Sequence, residues 1–367
     1  MNTAKIHASF GFSQKLLVLA LMAAFGPAHA DDDEVTALIS PDVASVTAGA
    51  GHVSGNSQDR SLFGQYSGWA EHDNALLLDF RYIKREEETG TWTRGEGLNL
   101  GQDDRELSFS QEKQGDWKLA LDYSELVHRD PRTINTGLLG AGTTSPTVSP
   151  LSATGTGNDL NLELRRKAFN LAGSKWITPN LSFEASFRNE DKDGARSFGI
   201  GGYTPGGVTA STVAALYLVP EPVNSTTRQF EARLHYFGDK FSLTGGYNGS
   251  FYNNANSTMT VNGIDADAFA SSTLTLALPP DNQAHQLYLS GTYALQPTTH
   301  ANFKLAYTHA SQNQGFGSLG AGSLDGVLDT TLAQVGLSAR PMPKLSLTAN
   351  LRYEDRNDKT ALGNYLV

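Results

Sequence analysis

RELSFSQEKQGDWKLALDY, residues Arg105 to Tyr123, is the stretch that decides the fold. Leu107 and Phe109 alternate with Glu106, Ser108 and Ser110. A tight turn follows at Gln114-Gly115-Asp116. Trp117, Leu119, Leu121 and Tyr123 then alternate with Lys118, Ala120 and Asp122. Apolar residues at every second position mark a strand with one apolar and one polar face, so this stretch is a β-hairpin. Segments of about ten alternating residues, repeated along a chain, are the signature of an outer-membrane β-barrel.

The same unit recurs outward from that hairpin. Alternation predicts a first, irregular strand over His52–Tyr66, then strands at 74–84 and 91–100. Further strands are predicted at 160–175, 181–190, 226–237, 241–252, 285–295, 300–309, 331–340 and 344–354, with a new one beginning at 361–367. Short connectors fall at 85–90, 114–116, 177–180, 238–240, 296–299 and 341–343. The intervening connectors are mostly long: apart from the short loop 101–104, they cover 127–158, 191–225, 253–282 and 312–326 and are rich in Gly, Ser, Thr and Pro. Those six short connectors all fall on one side of the wall. Outer-membrane barrels place short turns in the periplasm and long loops outside. The reading is an all-β, transmembrane antiparallel up-and-down barrel over residues 51–367, of about thirteen to fourteen strands and incomplete at its C-terminal end. A soluble β-sandwich fits less well, because sandwiches do not sustain such a short-long alternation.

The faces agree. Leu181, Phe183, Ala185 and Phe187 share one face, and Ser182, Glu184, Ser186 and Arg188 the other. An Arg or Lys facing lipid at the midplane costs about 2–4 kcal/mol, so the charged face lines the lumen. Trp92, Trp117, Trp176, Tyr123, Tyr236, Tyr293 and Tyr353 lie near strand ends, where aromatic girdles belong. Composition conceals this architecture: only 39% of the residues are hydrophobic and the mean hydropathy is −0.33. Half of each strand faces water.

The N-terminus reads as a cleaved secretory signal over residues 1–30. Lys5 and Lys15 precede the apolar run Leu16–Phe25, and Ala28-His29-Ala30 is a small-x-small cleavage site. Residues 31–50 read as a periplasmic lead-in, so the protein is directed to a bacterial outer membrane. The chain has no Cys, which excludes disulfides, thiolate metal sites and covalent haem attachment to the chain itself. A net charge of −10 argues against nucleic-acid binding.

No chemical motif stands above its plainer reading. The nine His are scattered, without close-set ligand spacing. His128 and Asp130 are a candidate rim pair, set against a solvated loop. The run Asp31–Glu34 lacks the spacing of a calcium loop. The mixed-charge run Lys84–Glu88 is a turn with some capacity to dock a periplasmic partner. The Gly-rich stretches 199–202 and 315–322 lack the Lys-Ser/Thr of a phosphate loop. The reading assigns no enzyme, no catalytic residue, no metal and no cofactor of the chain's own.

Four stretches stand in order along the chain: Phe63-Gly64-Gln65-Tyr66-Ser67-Gly68, then Gly97-Leu98-Asn99-Leu100-Gly101 with Asp104-Arg105, then Gln114-Gly115-Asp116-Trp117 leading to Leu121-Asp122-Tyr123-Ser124-Glu125-Leu126 and His128, and last Leu351-Arg352-Tyr353-Glu354-Asp355-Arg356-Asn357-Asp358-Lys359. Together they resemble the MtrB/PioB family of decahaem-associated outer-membrane barrels. Their order and spacing cover the front part of a family member. Some members carry a C-x-x-C near the mature N-terminus; this chain resembles the Cys-free ones.

The resemblance implies a barrel sheath that surrounds a periplasmic multihaem (decahaem) c-type cytochrome and supports electron transfer across the outer membrane, often to a second, cell-surface multihaem cytochrome. All haem then belongs to the partner. Glu184, Arg188, Arg233, Lys304 and Arg352 are the candidate lumen-facing contacts to that cytochrome. The alternative is a general diffusion porin for small polar solutes, with loop 191–225 or 253–282 folded in as a constriction. A surface adhesin rests only on the long loops.

Overall fold

The computed structural model describes residues 43–66, 74–149, 151–202, 215–263, 273–315 and 325–361. The expected signal peptide, the acidic run after it and the strand start beyond Ala361 lie outside these residues.

Among the described residues, thirteen strands form one antiparallel sheet. They are β1 (Val43–His52), β2 (Asn74–Glu86), β3 (Thr91–Leu98), β4 (Glu106–Lys113) and β5 (Trp117–Arg129). Next come β10 (Glu163–Thr178), β11 (Leu181–Gly202), β12 (Ala215–Phe237) and β13 (Phe241–Asn254), then β16 (Asn282–Gln296), β17 (Thr299–Gln312), β18 (Val327–Met342) and β19 (Leu345–Asp358). The strands between are short pieces within the long connectors: β6 (Ile134–Thr136), β7 (Leu138–Leu139), β8 (Thr147–Val148), β9 (Asn158–Leu160), β14 (Thr258–Asn262) and β15 (Thr273–Ala277). Each wall strand pairs with the next along the chain, the up-and-down order that alternation predicts. All six short connectors join neighbouring wall strands. At the quoted hairpin Gly115 takes a φ of +76°, a left-handed conformation that costs Gly nothing. Among the described residues β1 pairs only with β2 and β19 only with β18, so the sheet has two open edges.

Two elements differ from expectation. The first wall strand is Val43–His52, which begins within the expected lead-in and ends where the expected strand starts, and Ser57–Phe63 within the expected strand is a short helix, α1. Val43 to Gly51 consists of small residues, so alternation gives little signal there. It is fixed instead by its ladder to β2, from Val43 opposite Ile83 to His52 opposite Asn74. The expected loop 191–225 is largely a ladder. β11 and β12 continue their pairing out to Gly202 and Ala215, strands of 22 and 23 residues. About 9–11 residues cross the bilayer, so this hairpin projects well beyond it. Pro220 and Pro222 suggest a loop, but in this stretch β12 has lost its other neighbour, since pairing with β13 begins only at Ser225. A strand edge without a partner tolerates proline.

The buried apolar cluster lies outside the wall. β7 and β8 from one long connector and β14 and β15 from another form a four-stranded sheet. Leu138, Met259, Val261 and Leu278 pack there against Val219 of the β12 extension. Val219 is on the lumen side by alternation, as is Glu221, whose carboxylate takes two 2.9 Å hydrogen bonds from Arg196. The two-loop sheet therefore sits on the inner side of the wall at its outer end.

Candidate functional site

Strand pairing arranges the polar face into continuous rows. One row runs Lys118, Ser174, Glu184, Arg233, Gly246, Tyr288 across β5 to β16. The next runs Ala120, Ala172, Ser186, Glu231, Asn248, Gln286, Thr308. Small residues form the floor of this face, and charged ones stand at intervals. Ala120, Ala172, Ser174 and Ser186 floor a concavity of about 340 Å³, edged by Lys118, Glu184, Glu231 and Arg233. Beside it lies a second, of about 440 Å³, lined by amide and hydroxyl groups that include Asn170, Gln229, Asn248 and Gln286.

The polar groups satisfy one another. Gln286 donates to Thr308 at 2.8 Å, and Asn170 donates to Asp122 at 3.1 Å. All five candidate contact residues lie on this face. Glu184 and Arg233 are direct cross-strand partners, joined at 2.5 Å, with Glu231 3.3 Å from the same guanidinium. Arg188 pairs along its own strand with Glu190 at 2.9 Å, and Arg352 likewise with Glu354. Lys304 stands between Ser290 and Gln334, and Gln334 in turn faces Arg352. The structure thus brings Glu184 and Arg233 together and leaves the other three apart.

Of the aromatics expected in girdles, Trp117, Tyr123, Tyr236, Tyr293 and Tyr353 do share the face of Leu119 and Leu121 or its continuation. Trp92 and Trp176 do not. Trp176 lies opposite Ser182, on the lumen side, with its ring 5.8 Å from that of Phe237. His235 stacks on Phe237 at 6.2 Å. Trp92 lies opposite Glu112, with the guanidiniums of Arg94 and Arg85 at 5.1 and 5.9 Å from its ring. In β3 the outward positions are Thr93, Gly95 and Gly97, so no apolar alternation marks the face on which Trp92 lies. At the outer rim, His128 packs against Tyr66 at 4.7 Å and Asp130 accepts from the Arg132 backbone, in place of the expected pair. Among the described residues no group of three His, Asp or Glu is placed to hold a metal ion.

A model of the family described as "Putative outer membrane beta-barrel porin, MtrB/PioB" matches residues 55–366. The chain belongs to the MtrB/PioB family. As an MtrB/PioB member it is an outer-membrane protein, and its thirteen-stranded wall is that of an outer-membrane barrel. The outer membrane protein MtrB of Shewanella baltica (strain OS185) is 25% identical over 285 residues, 73% of this chain and 39% of that protein. The chain therefore spans about two fifths of that relative's length. Among solved structures, OmpT of Vibrio cholerae is 11% identical, covering 86% of this chain and 88% of that one, with a TM-score of 0.33. The P. putida toluene transporter TodX is 13% identical, covering 82% of this chain and 77% of that one, with a TM-score of 0.29.

The MtrB/PioB wall also has a marked outer boundary on its lipid side. Two residues beyond Tyr123 comes Glu125, only 6% exposed, which accepts from Arg165 at 2.6 Å and from Tyr123 at 3.2 Å and lies 3.3 Å from Arg105. This contact holds the Arg165 pKa above its ordinary value. Two residues beyond Tyr307 comes His309, which meets Asp329 at 2.7 Å, with Lys359 2.5 Å from the same carboxylate. Lys359 first, then His309, holds the Asp329 pKa down to about 2. A carboxylate depressed below its unfolded value of about 3.9 adds stability above that pH, and the contribution disappears as pH falls towards about 2. Asp329→Asn is therefore expected to lower the urea midpoint in detergent micelles at pH 6, with the difference from wild type shrinking steeply from about pH 4 towards pH 2. A difference that stays constant over that range would remove Asp329 as the titrating group.

Proposed function

We propose that this wall is part of a sheath that houses a periplasmic multihaem c-type cytochrome and supports electron transfer across the outer membrane. The observation that carries the reading is the lumen face of β5 to β17: a floor of Ala and Ser with amides and ion pairs already satisfied within the wall. A folded protein can approach such a surface closely and meet it through direct and water-bridged hydrogen bonds. Unpaired charges there would demand a partner with matching charges at fixed places. The hydrocarbon core is about 30 Å thick, and a protein with a polar surface cannot cross it bare. A wall around it removes that cost, while the redox chemistry remains the partner's. A lumen of that width needs more strands than a narrow pore. Further strands added at the open edges of β1 and β19 would supply it. The chain's share of the Shewanella relative's length agrees with this. A surface cytochrome outside would complete the path.

The test is purification of the tagged protein from detergent-solubilised outer membranes, with a haem stain of the gel. The expected result is a co-purifying haem-positive protein in 1:1 ratio. A haem-free barrel that conducts ions in a planar bilayer would instead establish the diffusion porin. One observation favours that second reading: the two-loop sheet lies on the lumen side at the outer end, where a constriction would sit.

A further inference from the structure

Charges on the lumen face are mostly paired strand to strand. Glu184 stands opposite Arg233, Arg196 opposite Glu221, Arg81 opposite Glu96 and Glu112 opposite Lys118. At the outer end one position breaks this pattern. Arg166 of β10 lies directly opposite Lys192 of β11. Among the described ladders no other Arg or Lys faces a second one. Directly opposed side chains stand about 4.5–5.5 Å apart at Cβ, and like charges so placed destabilise the ladder. Among the described residues neither cation is in ion-pair contact with a carboxylate. Glu190 and Glu221 are the acids that act on Lys192, and Arg188 and Arg196 already hold them at 2.9 Å. From Arg188 outward, the lumen face of β10 to β12 carries four cations, Arg166, Arg188, Lys192 and Arg196, against two carboxylates, Glu190 and Glu221. Lys192 lies one residue beyond Asp191, which shares a row with Glu125 at the outer boundary. Burial, and then the charges of Arg166 and Arg196, hold its pKa below the ordinary value.

We infer that Arg166 and Lys192 form a binding site for a small, doubly charged oxyanion of the phosphate class. The site needs only this wall and stands apart from the sheath reading. Arg166 offers a planar fork of donors that matches two oxygens on one centre, and Lys192 a compact positive charge. Next in the same row comes Ser225, 8% exposed, whose hydroxyl is a further donor. Two residues beyond Lys192 stands Gly194, so no side chain separates Lys192 from Arg196 on this face. A bound dianion cancels the surplus of two cations and turns one repulsive contact into two attractive ones. A single protein carboxylate carries one charge and leaves the second cation uncovered. Chloride presents one point and cannot engage the guanidinium fork.

The experiment uses the full-length protein purified from outer membranes in a non-ionic detergent, at about pH 8, where phosphate is doubly charged. Isothermal titration calorimetry measures inorganic phosphate binding to wild type, to the double variant Arg166→Gln/Lys192→Gln, and to Lys240→Gln, which removes a cation from a periplasmic turn. All three are checked for the heat-modifiable migration of a folded barrel. The expected result is one phosphate site in wild type, weakened about tenfold or more in the double variant and unchanged in Lys240→Gln. Chloride at equal ionic strength gives no matching signal. Glycerol 1-phosphate in place of phosphate separates recognition of a terminal phosphate group, which it also supplies, from recognition of the free ion. In phosphate-free buffer the urea midpoint of Lys192→Gln rises above that of wild type, because the like-charge contact is gone. A lower midpoint would show that Lys192 serves the wall itself, and would overturn the site. Equal phosphate affinity in wild type and double variant overturns it too, as does a signal that chloride reproduces. A double variant that binds phosphate normally but no longer retains a haem-positive protein overturns it in favour of a partner's carboxylates.

Discussion

Leu121→Arg lowers the stability of the folded wall by about 2–4 kcal/mol, whereas Ala120→Arg, one residue back, changes it by less than about 1 kcal/mol. Leu121 is 37% exposed and lies between Phe109 of β4 and Leu171 of β10 on the outward face. It lies between Trp117 and Tyr123 on that face, four residues from the one and two from the other, so a guanidinium there sits in hydrocarbon with no partner. Ala120 points the other way, into the concavity edged by Glu184 and Glu231, where an added cation meets carboxylates and water. The two substitutions have the same chemistry and differ only in strand parity. Urea unfolding in lipid vesicles, followed by tryptophan fluorescence, measures both. Equal losses, or the larger loss at Ala120, would invert or abolish the assignment of lumen and lipid faces on which every contact argument here depends.

Met259→Ala is expected to open the two-loop sheet while leaving the wall intact. Met259 and Val261 are fully buried in the cluster that also holds Leu138, Val219 and Leu278. Truncating a buried Met costs about 2–5 kcal/mol. The sheet has little else to resist that loss, since its pairing across the two connectors consists of a single register position, Asn262 opposite Thr147, and a few hydrogen bonds such as Thr260 to Thr144. External protease should then cut within 131–160 and 255–281 in the variant and spare the wild type, while the heat-modifiable barrel band persists in both. In a planar bilayer, any conductance limited by this sheet rises in the variant. Unchanged protease resistance would show that the cluster does not hold the two connectors together.

Local pattern determined most of the wall. Alternation in Leu107–Phe109 and in Trp117–Tyr123 needs only the two-residue period of a strand, and Gly115 alone permits the turn between them. Because each such hairpin is complete within about twenty residues, parity and the alternation of short and long connectors could be followed along the chain without tertiary information. The placement of Glu184, Arg188, Arg233, Lys304 and Arg352 on one face came from the same period. Where the period is blank, the structure decided. β1 is made of small residues and is held by β2. Trp92 follows outward positions filled by Thr and Gly. Trp176 is one residue past the lipid-side set and so joins the lumen.

The remaining decisions belong to contacts distant in sequence. Asn262 meets Thr147, and Met259 meets Leu138, across more than a hundred residues. The Gly, Ser and Thr of those connectors carry no periodic signal, so a folded sheet there reads locally as loop. The extension of β11 and β12 is similar: its prolines indicate a break until the lost neighbour explains them. That Glu184 meets Arg233 required the register of two strands. Sequence fixes which side a residue takes, because that is a property of one strand. Which residues it then meets depends on the pairing of several strands, and only the tertiary structure sets that.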